Sequence, residues 1–223
     1  MPAKSKNSSP RHKPRKKYPS KMSSAIHYKP TADDVKRLRE ETGAGMIDCR
    51  NALVQTTGDF ERAKTHLQEQ GQAKAAKKAE RAANEGLIGS YIHAGGKIGV
   101  LVELNCETDF VARNAKFSEL VRDVAMHVAA MSPQYLDRES VPASVVDELR
   151  AEFAKTVPEG KPPAVAEKIV EGKLNKWFEE HCLLEQQFIK DDDRSVGELV
   201  AGASGVLGEK IQVRRFAKFA LGE

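Results

Sequence analysis

Between Lys97 and Asn114 the apolar spacing of this chain changes from a strand's to a helix's across one polar turn, which fixes a strand-to-helix corner there. Ile98, Val100, Val102 and Leu104 alternate with other residues, so they line one face of a strand. Upstream, Ile88 and Ile92 lead into Gly95-Gly96, which predicts a hairpin closed by a Gly-Gly loop. Downstream, Phe117, Leu120, Val121, Val124, Ala125 and Val128 recur at three and four residues and predict a helix ending near Ser132 and Pro133. The corner between them is NCETDFVARN, Asn105 to Asn114, with Phe110 held between Asp109 and Val111. A large ring at the tip of a strand-to-helix corner is hard to bury in its own domain, and loops on a rigid scaffold commonly carry contact residues. We read the corner as a probe aimed at another molecule.

The remaining elements assemble around that hairpin and helix. Thr31 with Asp33 and Asp34 opens a first helix through Val35 and Leu38, closed by Gly43 and Gly45. A second runs from about Met46 to Gln55, and Asp59 caps a third on Phe60, Ala63 and Leu67 that ends at Gly71. These three form a small UBA-like bundle over residues 31–71, with so thin an apolar inventory that it must lean on a partner or another domain. Residues 72–85 read as an Ala-rich helical linker, or alternatively as a basic RNA-binding helix, although Glu80 and Glu85 dilute its charge. Residues 86–223 make an α+β core and dimerisation domain. Within it, Val145 to Val157 and Pro163 to about Glu180 predict two antiparallel helices around PEGKPP. Gln187 to Ile189 is a candidate strand, Val196 to Leu207 a helix, and Ile211 to Leu221 a strand with Arg214 and Arg215 exposed. The fold class is α+β, with an antiparallel sheet and helices.

Charge is concentrated at the N-terminus. Residues 1–30 hold nine of the 36 Lys and Arg and no acid, so residues 31–223 carry 27 basic against 32 acidic groups, a net −5. The extension is expected to be disordered, since its Lys, Ser and Pro content cannot repay the entropy of ordering. A transit peptide, a start at Met22 and a nonspecific attraction to RNA or the ribosome all remain open for it. The body lacks the basic excess of a nucleic-acid-binding domain, so no sequence-specific nucleic acid is expected. No apolar run approaches the roughly 20 residues of a membrane span, and no secretory pattern follows the basic segment. Cys49, Cys106 and Cys182 are widely separated and suit reduced thiols in a cytoplasmic protein.

Catalytic signals are sparse. Gly96-Lys97 lacks the glycine and hydroxyl of a phosphate loop, and Gly202, Gly205 and Gly208 are spaced for close helix packing rather than for a dinucleotide. Glu107 and Asp109 could form an acid/base pair or a magnesium site, but no nucleophile or further ligand accompanies them. No enzyme activity, metal or cofactor is therefore expected. From spacing alone, His127 reads as an interior or rim histidine.

Several segments together resemble one family. LREETGAGMIDCRNAL (Leu38 to Leu53), KAAKKA (Lys74 to Ala79), NCETDFVARN, AMHVAA (Ala125 to Ala130), AEKIVEG (Ala166 to Gly172) and GEKIQVRRF (Gly208 to Phe216) resemble bacterial translation elongation factor Ts. The match runs in order from about Ala32 onward. That resemblance implies guanine-nucleotide exchange on elongation factor Tu. It implies that Thr108, Asp109, Phe110 and Val111 enter the GTPase domain beside its magnesium site, with Phe110 wedging between helices and Asp109 disturbing magnesium coordination. It further implies that His127 packs close to that Phe at the contact, and that Leu38, Gly43, Gly45, Met46, Ile47 and Arg50 dock the bundle. Arg113 completes the expected contact set. A single core module is expected, and from Asn114 to His127 a helix rises about 20 Å. That separation predicts a homodimer in which each Tu meets Phe110 of one subunit and His127 of the other. Some short relatives carry a Cys in the last strand where this chain has Ala217, so the dimer is expected to be noncovalent.

Overall fold

The computed structural model describes residues 28–223. Residues 1–27 of the basic extension, and the alternative start at Met22, lie outside the described residues. Residues 28–30, expected to be disordered with them, are ordered instead: Tyr28 packs against the bundle core and donates its hydroxyl to Asp34 at 3.3 Å.

The first three helices are α1 (Ala32–Thr42), α2 (Met46–Gln55) and α3 (Phe60–Ala76). Thr31 and Asp34 form a capping box that satisfies the free N–H groups at the start of α1, and Gly43 ends it in the left-handed conformation. Asp59 caps α3 by accepting from the Arg62 N–H. Val35, Leu38, Cys49, Ala52, Leu53, Ala63 and Leu67 form the bundle's buried core. One boundary differs from expectation. Helix α3 continues past Gly71 to Ala76, and residues 77–84 are turn and irregular chain rather than helix.

The reason for that continuation lies in the core domain. Helix α8 (Val196–Leu207) crosses α3, and a Cβ built on Gly205 would stand 2.9 Å from the Gly71 Cα. The backbones meet where neither has a side chain, and across the crossing Gln72 Nε2 donates to Glu198 at 3.0 Å and Lys78 Nζ to the Ser204 carbonyl at 2.9 Å. The thin bundle leans on α8, as its composition requires.

Strands β1 (Glu85–Ile92), β2 (Ile98–Cys106) and β5 (Gln212–Ala220) form an antiparallel sheet in the order β1-β2-β5. Its inner face, with Val100, Val102, Leu104 and Val213, packs on α5 (Ala115–Met131), whose Phe117, Val121, Val124 and Val128 are buried at the expected spacing. A Cβ at Gly89 would come within 2.2 Å of Val121 Cγ1, so α5 sits close to β1 only because that strand position is bare. On the other face the register aligns Ile88 and Ile92 of β1, Leu101 of β2, and Ala217 and Phe219 of β5. All five are exposed.

Between α5 and the last strand the chain makes an antiparallel helix pair, α6 (Ala143–Lys155) and α7 (Pro163–His181), around a small core of Leu174 and Phe178 with Val141 and Cys182. Its two ends meet where the Leu183 N–H donates to the Tyr135 carbonyl at 2.9 Å. A two-stranded ribbon follows, β3 (Gln187–Phe188) with β4 (Asp191–Ser195). Asp191 to Asp193, whose charge and composition suit a solvated loop, are therefore strand. All three thiols are buried, and burial pushes the Cys182 thiol up to about 11.

Candidate partner-binding corner

The corner is built outward from Cys106, the buried last residue of β2. Thr108 turns the chain and caps a single helical turn, α4 (Asp109–Ala112), its hydroxyl accepting from the Val111 N–H. Ala112 is buried and Val111 half-buried, so the turn is anchored on its inner side while Phe110 points away with 82% of its surface exposed. Asp109 and Arg113 are joined by an ion pair of 2.9 Å across the turn, Arg113 exposed and Asp109 half-buried. The short helix was not foreseen, because four residues carry no periodic signal.

Two glutamates hold this turn in a reciprocal clamp. Glu209, just past α8, accepts from the Thr108 hydroxyl at 2.6 Å through Oε1, and through Oε2 from the Thr108 N–H at 3.0 Å and the Glu107 N–H at 3.1 Å. Glu107 returns the contact by accepting from the Lys210 N–H at 2.6 Å, with Arg81 Nη1 at 3.3 Å. The Lys210 N–H, helped by Arg81, holds the Glu107 carboxyl below its ordinary range, so it stays ionised at neutral pH. Glu107 and Asp109 thus engage different partners, Lys210 and Arg81 for one and Arg113 for the other. Among the described residues, no cluster of three or more His, Cys, Asp or Glu is placed to hold a metal ion.

The expected contact residues divide in two. Met46 and Ile47, at the start of α2, are exposed, Ile47 by 75% of its surface, and Arg50 is exposed beside them. Gly43 is half-buried and Gly45 is exposed. A Cβ built on Gly43 would lie 3.0 Å from Lys116 Nζ. Lys116 stands three residues beyond Arg113, so the α1–α2 turn and the Phe110 corner are neighbours on the surface.

Leu38 and His127 are different, for both are fully buried. Leu38 belongs to the bundle core. The His127 ring lies inside the core domain, where Nδ1 accepts from the Ile189 N–H at 3.2 Å and Nε2 faces Gln186 Oε1 at 3.0 Å. An accepting Nδ1 fixes the neutral tautomer with the proton on Nε2, donated to Gln186, whose own amide donates to the Glu180 carbonyl at 2.7 Å. Burial lowers the His127 pKa. Of the two roles considered from sequence, the interior one describes where the ring is, and no surface of it faces outward in the single chain. The residues that sequence reasoning missed are Glu209, Lys210, Lys116 and Arg81. Glu209 and Lys210 sit inside the GEKIQVRRF segment, but no spacing rule ties position 209 to position 107.

Comparison with known proteins gives a consistent answer. The model of the family "Elongation factor TS" matches residues 47–223. Elongation factor Ts of Geobacter sulfurreducens is 54% identical over 194 residues, covering 86% of this chain and 90% of that protein. That of Syntrophomonas wolfei is 56% identical over 194 residues, covering 86% and 91%. That of an Anaeromyxobacter strain is 54% identical over 193 residues, covering 86% and 88%.

Proposed function

This chain belongs to the elongation factor Ts family, and from that membership we propose that it promotes guanine-nucleotide exchange on elongation factor Tu in the cytoplasm. The observation that carries the reading is Phe110, an exposed aromatic ring fixed at the tip of a clamped corner. An aromatic left in water by its own fold is the kind of residue that anchors a contact between proteins.

The physical logic needs no chemistry on the nucleotide. A protein that binds nucleotide-free Tu more tightly than Tu·GDP must weaken GDP binding by the same factor. Burying Phe110 in the partner is worth about 1.5 to 3 kcal/mol, available to whichever partner conformation offers the pocket. If that conformation is one with broken magnesium and phosphate contacts, the ring drives release. Thr108 and Val111 hold the turn, and Asp109 brings negative charge toward the partner's magnesium site. Gly43, Gly45, Met46, Ile47 and Arg50 supply a second contact beside the first. GTP binding then displaces the factor. Leu38 supports that surface from within, and His127 supports the α5 end of the core, each without touching the partner directly.

We also propose that the chain acts as a homodimer joined through the outer face of its sheet. The support is the row of exposed Ile88, Ile92, Leu101 and Phe219, a face too apolar to be left in water, with Ala217 in it offering no thiol. This replaces the argument from His127, which is enclosed.

The deciding experiment is release of a fluorescent GDP analogue from elongation factor Tu, comparing wild type with Phe110→Ala at equal concentration. Strong acceleration by wild type and a loss of about 30-fold or more in the variant, equivalent to about 2 kcal/mol, is the expected result. No acceleration by wild type would overturn the exchange reading. Equal acceleration by both would remove Phe110 as the anchor.

A further inference from the structure

We infer that Glu209 is a positioning residue for the Phe110 corner, holding the probe in its binding geometry before any partner arrives. Its consequence for exchange rests on the reading given above, whereas its effect on the corner does not.

The argument begins with what a one-turn helix can do alone. Four residues cannot hold helical geometry in water, because nucleation fixes several dihedrals for one hydrogen bond. Residues 109–112 carry an outward aromatic and gain little burial of their own, since only Ala112 is fully enclosed. The order of the turn must therefore come from outside it. Glu209 supplies this, engaging two successive backbone N–H groups and the Thr108 hydroxyl with one carboxylate. Hydrogen bonds to a charged acceptor are roughly twice as strong as neutral ones. Glu107 ties the other strand of the connection back through the Lys210 N–H, so the segments at 107–108 and 209–210 each cap the other. Glu209 is itself fixed because Ser204, buried on α8, donates its hydroxyl to the Glu209 carbonyl at 2.5 Å. Helix α8 thus touches α3 through Gly205 on one side and, through Glu209, sets the corner on the other. A probe held this way loses little freedom on binding, which is the advantage of preorganisation.

The test uses the full chain with Glu209→Ala, Glu209→Gln, Phe110→Ala and the Glu209→Ala/Phe110→Ala double variant. The first readout is backbone amide hydrogen exchange, with no partner present. Protection at Glu107 and Thr108 is expected to fall in Glu209→Ala while the amides of α1 to α3 and of α5 keep theirs. Unchanged protection at Glu107 and Thr108 would overturn the inference. The second readout is GDP release from elongation factor Tu. Glu209→Ala is expected to lower the acceleration about tenfold, or about 1.4 kcal/mol. Glu209→Gln, which keeps an acceptor oxygen but not the charge, should fall between. In the Phe110→Ala background the same Glu209→Ala change should cost nothing further, because a positioning residue acts only through the residue it positions. An equal loss in both backgrounds would overturn it. If Glu209→Ala fails to fold, Glu209→Gln carries both readouts. If wild type does not accelerate release, the exchange reading fails, and the amide readout alone decides whether Glu209 holds the corner.

Discussion

Phe110 and His127 occupy opposite extremes of solvent contact, one 82% exposed and the other fully enclosed, and this sets what each substitution should do. Phe110→Ala removes almost no buried surface, so its urea midpoint should match wild type within about 0.5 kcal/mol even as exchange collapses. His127→Ala should do the reverse at the level of stability. It leaves the Ile189 N–H and Gln186 unpaired inside the core and opens a cavity, a loss of about 2 to 5 kcal/mol in urea unfolding. The same ring predicts a pH dependence. Burial depresses its pKa in the folded chain below the ordinary value of 6.5, so the unfolded chain takes the proton first as pH falls. The stabilisation is complete above pH 6.5 and is lost as pH drops below that value toward the folded pKa. Urea midpoints measured at pH 7.5 and 5.5 should therefore diverge more in wild type than in His127→Gln. Sequence placed Phe110 outside because a strand-to-helix tip has little to bury a ring against. Spacing put His127 in the interior or at its rim, but a helix face does not say what covers it, and the cover here comes from Gln186 and Ile189, about 60 residues further on.

Among elements, the crossing of α3 and α8 is the joint most exposed to a single change. Gly205→Ala would set a methyl 2.9 Å from the Gly71 Cα, against backbone that cannot swing aside. Alanine favours a helix interior by roughly 0.5–1 kcal/mol over glycine, but overpacking a contact costs about 1–3, so a net loss is expected. A lower urea midpoint for Gly205→Ala, with a slightly raised midpoint for Gly202→Ala where a Cβ meets open space, checks this. The glycine spacing announced close packing without naming the partner, which is why α3 was expected to stop at Gly71. An isolated helix stops at a glycine, whereas one lying on α8 gains contacts by continuing. Strand β3 was expected, but its partner β4 was not, for a related reason. Asp191, Asp192 and Asp193 have poor strand propensity, and the ribbon, in which Asp191 pairs with Phe188 and Ser195 with Gln187, is imposed by the chain around them. By contrast α2, α8 and the β1–β2 hairpin were legible to within a residue or two, because caps, glycines and strict periodicity all agreed there.

At the scale of the whole molecule the sheet has one face on α5 and, among the described residues, the other bare, and the bare face carries Ile88, Ile92, Leu101 and Phe219. A second copy laid on it would bury the same residues twice. Sedimentation should then show a species of twice 24.5 kDa, reduced to 24.5 kDa by Leu101→Lys with Phe219→Lys. Those changes sit on the solvent side of the strands, so each monomer should remain folded by circular dichroism. The sheet that presents this face is closed by β5, and β5 pairs with a strand made more than a hundred residues earlier, as does the Glu209 clamp, whose contacts span 101 and 102 residues of chain. Contacts of such long range form late, and synthesis runs from the N-terminus at about 5–20 residues per second. During translation the hairpin and its corner therefore leave the ribosome well before the residues that brace them. A growing chain can show its aromatic tip early, yet it becomes a competent factor only when the last strand has been made and has found its place.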